Sequence, residues 1–176
     1  MDLLDRLLAH DAWTTREILR LCEPLTDEEL DREFDIGHRS VRATLAHLVW
    51  NMEVWSGLMT GGFAIAEARK TAAARSIPEL KGRLDRAAAD LARIARSVSA
   101  RNGWDEEWID ILDDPPSRKT YGGAIAHVIT HSMHHRAQLL YLFRRLGVRD
   151  LPEGDVLSWE QQARLSQPER DRQSPG

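Results

Sequence analysis

The chain carries one cysteine, Cys22, in 176 residues. A lone thiol excludes an internal disulfide, so packing must hold the fold, and a reducing cytoplasm is the simplest expected setting. In a Leu-rich helical segment Cys22 reads as a small core residue rather than a nucleophile. Long apolar runs are also missing. None approaches the ~18 residues of a membrane span, and the opening MDLLDRLLAHDAW has acids where a secretory leader would have Lys or Arg. Nor is there a basic block. The 24 Lys and Arg are interleaved with 28 Asp and Glu, giving a formal net charge of −4, which argues against a nucleic-acid partner. No internal repeat is visible. What remains is 42% hydrophobic and 30% charged, an ordinary soluble composition at a length suited to one domain.

Apolar residues at helical spacing mark four long segments. The first runs from Asp2 to about Cys22 and stops before Pro24. In LTDEEL, Thr26 and Glu29 form a capping box for a short extra helix. The second long helix starts at the N-cap Ser40 and ends near Met59, before Thr60-Gly61-Gly62. The third starts at SIPEL, with Ser76 as cap, Pro78 in the first turn and Glu79 completing a second capping box, and runs to about Ala100. The fourth spans about Thr120 to Leu146, with Gly147 at the position that ends it. Between the third and fourth, Pro115 and Pro116 exclude a helix, while Trp104, Trp108, Ile109 and Ile111 predict a packed loop with room for a short strand pair. A short helix is expected from Asp155. The expectation is an all-α, single-domain four-helix bundle over residues 1–165, followed by a flexible, disordered tail over 166–176.

Four of the seven histidines lie within nine residues of the last long helix: His127, His131, His134 and His135. Counting about 100° per residue from Tyr121 places His131 and His135 at about 280° and 320°. Both continue the apolar stripe of Val128, Leu139, Leu142 and Leu146. His127 and His134 fall at about 240° and 220°, on an edge shared with Gln138 and Arg145. An inward i, i+4 pair of imidazoles can ligate one metal ion, which relieves the cost of burying two rings with donors and acceptors to satisfy. The same pair can instead be hydrogen-bonded in the core or line a wet cavity. His47, in a second row of the helix after Ser40, is the best third ligand, with His10 and His38 as alternatives.

SVRATLAHLVWNMEVW, followed some eighty residues later by AHVITHSMHHRAQLLYLFRRLG, resembles the DinB-like family of four-helix-bundle metalloproteins. HDAWTTREIL and LTDEELDREF resemble its first helix and following turn. The likeness covers roughly Leu3 to Arg149, with Thr130 where many members have Asn. It implies that His47, His131 and His135 bind a divalent ion; three imidazoles suit zinc or nickel first, with iron, copper or manganese as alternatives. It also implies a homodimer and a bundle with a long crossover; the linkers Gly61 to Arg75 and Arg101 to Lys119 suit either crossover or up-and-down order.

Three neutral histidines without a fixed fourth ligand describe an open site, able to lower the pKa of bound water or of a coordinated thiol. The family likeness implies a transferase, isomerase or hydrolase that activates a low-molecular-weight thiol or water for attack on a small-molecule substrate. Asn51, one turn after His47, and the border residues His127 and His134 are candidates for steadying a ligand, touching substrate or moving a proton. No residue stands out as the catalytic base. The other reading is a non-catalytic metal-binding or stress-response dimer.

Overall fold

The helix boundaries follow from their first residues. In a computed structural model, which describes residues 1–62 and 76–165, the Ser40 side chain accepts from the Ala43 N–H at 3.1 Å and starts α3, Val41–Met59. Asp2 caps α1, Leu3–Leu21, by accepting from the Asp5 N–H. Thr26 and Glu29 close both halves of a capping box on α2, Asp27–Asp31, and Ser76 and Glu79 do the same on α4, Ile77–Ala100. Each such cap contributes on the order of 1 kcal/mol. Thr120 caps α5, Tyr121–Arg145, and α6 covers Val156–Leu165. Gly147, at φ +83°, stands past the end of α5, in a conformation a side chain would strain.

The expected packed loop between α4 and α5 contains an antiparallel hairpin. Glu107–Asp110 (β1) pairs with Ser117–Thr120 (β2), in a register that sets Trp108 opposite Lys119 and Ile109 opposite Arg118. Alternation turns Trp108 and Asp110 inward and leaves Ile109 exposed.

The long helices make a four-membered ring. α1 and α3 each pack against α4 and α5, so α1 and α3 stand across the diagonal and the chain crosses the bundle between them. This is the crossover arrangement, not simple up-and-down order. α5 supplies Leu139, Leu142 and Phe143 to the shared core, α3 supplies Leu45, Leu48 and Met52, and α1 supplies Ile18 and Leu19, all with almost no exposed surface. α3 packs between two long neighbours and buries 13 of its 19 residues, so its polar residues are forced into the interior. Cys22 is buried among these apolar groups, and burial pushes its thiol up to about 12. Among the described residues no helix is long and apolar enough to cross a membrane. The expected tail, residues 166–176, and all but the first residues of the Gly61–Arg75 linker lie outside the described residues.

Candidate metal centre

α3 and α5 run antiparallel, and their facing residues form rungs one helical turn apart. His47 meets His135 with ring centroids 4.8 Å apart, Trp55 meets His127 at the same 4.8 Å, and beyond them the Tyr121 hydroxyl donates to the Met59 carbonyl. Between the first two rungs, four residues from each end, stand Asn51 and His131.

The rings of His47, His131 and His135 come together across this seam. The His131 Nε2 lies 3.3 Å from the His47 Nε2 and 3.1 Å from the His135 Nε2. Burial opposes a positive charge here, with the neighbouring rings adding to the effect. His47 is held down to about 3, His131 to about 4, and His135 below the usual imidazole range. At neutral pH these are uncharged rings with lone pairs to offer, and among the described residues no carboxylate hydrogen-bonds to them. Two nitrogens bound to a tetrahedral ion at about 2.05 Å stand about 3.4 Å apart. The two spacings from His131 are close to that value, and neutral imidazoles are suitable donors for a divalent cation.

His38, weighed in the sequence as an alternative to His47, stands alongside it. Its ring stacks on His47 at 3.8 Å between centroids and lies 5.2 Å from His135. Potential ligand atoms of His38, His47 and His135 all fall within 4.8 Å of one another. Two overlapping triads therefore share His47 and His135, one completed by His131 from a helix and one by His38 from a loop. His10, the other alternative, lies elsewhere: its Nε2 donates to the Gly154 carbonyl at 2.9 Å, and its ring packs edge-on to Trp159.

The two border histidines have different surroundings. His134 is exposed, and its Nε2 accepts from the Gln138 amide at 2.9 Å. The other end of that amide, Oε1, accepts from the His135 Nδ1–H at 2.9 Å. This pattern fixes the His135 tautomer and leaves its Nε2 as a lone pair toward His131. Gln138 was only an edge residue in the sequence; its role depends on a contact that helix counting does not show. His127, by contrast, lines a cavity of about 710 Å³ with Trp55, Asp110, Leu112, Lys119 and Ala124. Its ring is 5.3 Å from His131, so the cavity adjoins the cluster on the hairpin side.

Asn51 is buried, and its Oδ1 has no hydrogen-bond partner; neither has the buried Nδ1 of His131 on the same rung. The Thr130 hydroxyl donates to the Ala126 carbonyl at 2.9 Å, away from the cluster. Arg136, part of the histidine motif but given no role by it, is buried against α1, where it pairs with Asp11 and donates to the Thr15 hydroxyl at 3.2 Å.

A model of the DinB family matches residues 1–170 of the chain. Neither the curated proteins nor the solved structures give a match to it.

Proposed function

The chain belongs to the DinB family, and we propose that it is a divalent-metal protein in which His47, His131 and His135 hold the ion through their Nε2 atoms and a small molecule is activated beside it. One observation carries this reading: the hydrogen-bond accounting of the three rings fails without a cation. If His131 donates its Nε2–H to the His135 lone pair, it cannot also serve His47, and its own Nδ1 is left buried without a donor. With three lone pairs aimed at one ion, the protons move to the Nδ1 positions. The His135 Nδ1–H already has Gln138 as acceptor. The His131 Nδ1–H then needs an acceptor, and the unpartnered Asn51 Oδ1 is on its rung. Gln138 thus orients His135, and Asn51 is the residue that would turn its amide to do the same for His131.

A bound divalent ion would supply Lewis acidity, lowering the pKa of a thiol or water in its remaining position. The protein's own part is to present neutral donors, keep their rings from turning, and offer a bounded space for the second reactant. His127 is the better of the two border histidines for touching that reactant, because it lines the adjoining cavity while His134 is tied to Gln138. The cavity wall combines Trp55 and Leu112 with Asp110, Asp113 and Lys119, which suits a compact amphipathic molecule. Three imidazoles suit zinc or nickel, with iron, copper or manganese as alternatives.

The catalytic reading predicts metal-dependent loss of free thiol when the chain is given a low-molecular-weight thiol and an electrophile such as monochlorobimane. Full metal occupancy with no turnover of any cellular thiol would replace it with the reading of a non-catalytic metal-binding module. A homodimer in a cytoplasmic setting is part of the same proposal, checked by the mass in solution.

A further inference from the structure

The sequence leaves the fourth coordination position to water or substrate. The geometry points to a different resting state: His38 is a fourth, loop-borne ligand that occupies this position and must leave for a substrate to enter. This rests on the three-histidine centre proposed above.

His38 is stacked on one proposed ligand, His47, at 3.8 Å and is 5.2 Å from a second, His135. Two nitrogens sharing an ion at about 2.1 Å can be at most about 4.2 Å apart, and about 3.4 Å apart in a tetrahedron. Potential ligand atoms of His38, His47 and His135 lie within 4.8 Å of one another, within about 1.5 Å of the spacing of two nitrogens on one tetrahedral ion.

The backbone on both sides of His38 is held in a defined conformation. Gly37 and Arg39, on either side of His38, both have positive φ, +50° and +72°. Arg39 bears a side chain there, a strained conformation that needs outside support. The support is local: the Phe34 N–H donates to the Arg39 carbonyl at 2.7 Å, the Arg39 N–H donates to the Ile36 carbonyl at 2.8 Å, and the Arg39 side chain pairs with Glu33. Gly37 in turn lies against Gln138, the residue that orients His135. A Cβ at Gly37 would stand 2.5 Å from the Gln138 Oε1. The loop and the orienting amide are thus in contact, and only glycine permits it.

The chemistry of the two kinds of ligand also differs. His47, His131 and His135 are fixed by long helices. His38 stands on an exposed loop held by a few backbone hydrogen bonds and a surface ion pair. Interactions of that kind are individually weak, so the loop ligand is the one an incoming thiolate would displace.

Cobalt(II) added to the metal-stripped full chain tests this by absorption titration. The expected wild-type result is one ion per chain in a four-nitrogen environment. His38→Ala should keep the stoichiometry, weaken cobalt affinity about 10–100-fold, shift the visible bands, and bind added thiocyanate more tightly than wild type. His38→Cys should add a sulfur-to-cobalt charge-transfer band. Gly37→Ala should move the spectrum toward that of His38→Ala. Cobalt bound by wild type, lost in His131→Ala but unchanged in affinity, spectrum and thiocyanate binding in His38→Ala, overturns the fourth-ligand role and leaves the three-histidine centre standing. A wild type that binds no cobalt overturns the centre itself.

Discussion

His135 and Arg136 are neighbours in the chain and both are buried, yet they face different helices and live in opposite kinds of chemistry. Arg136 turns to α1 and meets Asp11 and Thr15, a cation with an anion and a hydroxyl. His135 turns to α3 and meets His47 and His131, one lone-pair donor among others. The first seam joins opposite charges, with the Asp11 Oδ2 alone of that pair left without a hydrogen bond. The second gathers groups of one kind, none of which can satisfy the rest. Buried polar groups that pair hold a fold in register, whereas buried polar groups that cannot pair need a ligand.

The sealed seam should be the more sensitive in stability. Arg136→Ala leaves the Asp11 carboxylate buried and alone, and is expected to cost about 3–5 kcal/mol in urea denaturation. The metal content of the chains that remain folded should stay at the wild-type value. Loss of metal without loss of stability would merge the two seams into one.

The histidine seam should respond in affinity instead. Asn51→Ala is expected to weaken metal binding about 10–100-fold, read by competition with a chromophoric chelator. The metal-free fold should change little, because the Asn51 Oδ1 has no partner to lose. A large destabilisation with unchanged affinity would assign Asn51 to the core.

Acid separates the seams again. In chelator-stripped protein, His47 and His131 stay neutral when folded, held to about 3 and about 4, but titrate near 6.5 when unfolded. Between those values the unfolded chain binds more protons, so these rings favour the fold fully above about pH 6.5 and progressively less as pH falls toward 4. Urea midpoints should therefore drop from pH 7.5 to pH 5, and a His47→Asn/His131→Asn variant should drop less. Equal slopes would remove the histidines from the account. The smallest effect is a null one. Cys22, with its thiol pushed up to about 12, should not react with a disulfide reagent at pH 8 until the chain is unfolded.

Much of this was legible in the residues. Periodicity and caps marked the long helices, because Ser40, Thr26 with Glu29, and Ser76 with Glu79 act within one turn of themselves. A count of 100° per residue brought His131 and His135 onto the inward apolar stripe of their helix. The pairing of Asp11 with Arg136 spans 125 residues and leaves no local trace. His38 was visible only as an alternative, since its approach depends on two positive-φ residues in a loop without periodicity. Gln138 was missed as the residue that orients His135 because its two contacts at i−3 and i−4 depend on which end of the amide faces which ring. Asn51 was placed one turn from His47, but its orphaned oxygen emerges only when the helices are packed.

The most direct measurement is elemental analysis of the purified chain after dialysis against a trace of zinc or nickel, beside a His131→Ala/His135→Ala variant of equal helicity. The account predicts one ion per wild-type chain and almost none in the variant. Equal metal content in the two proteins would contradict it.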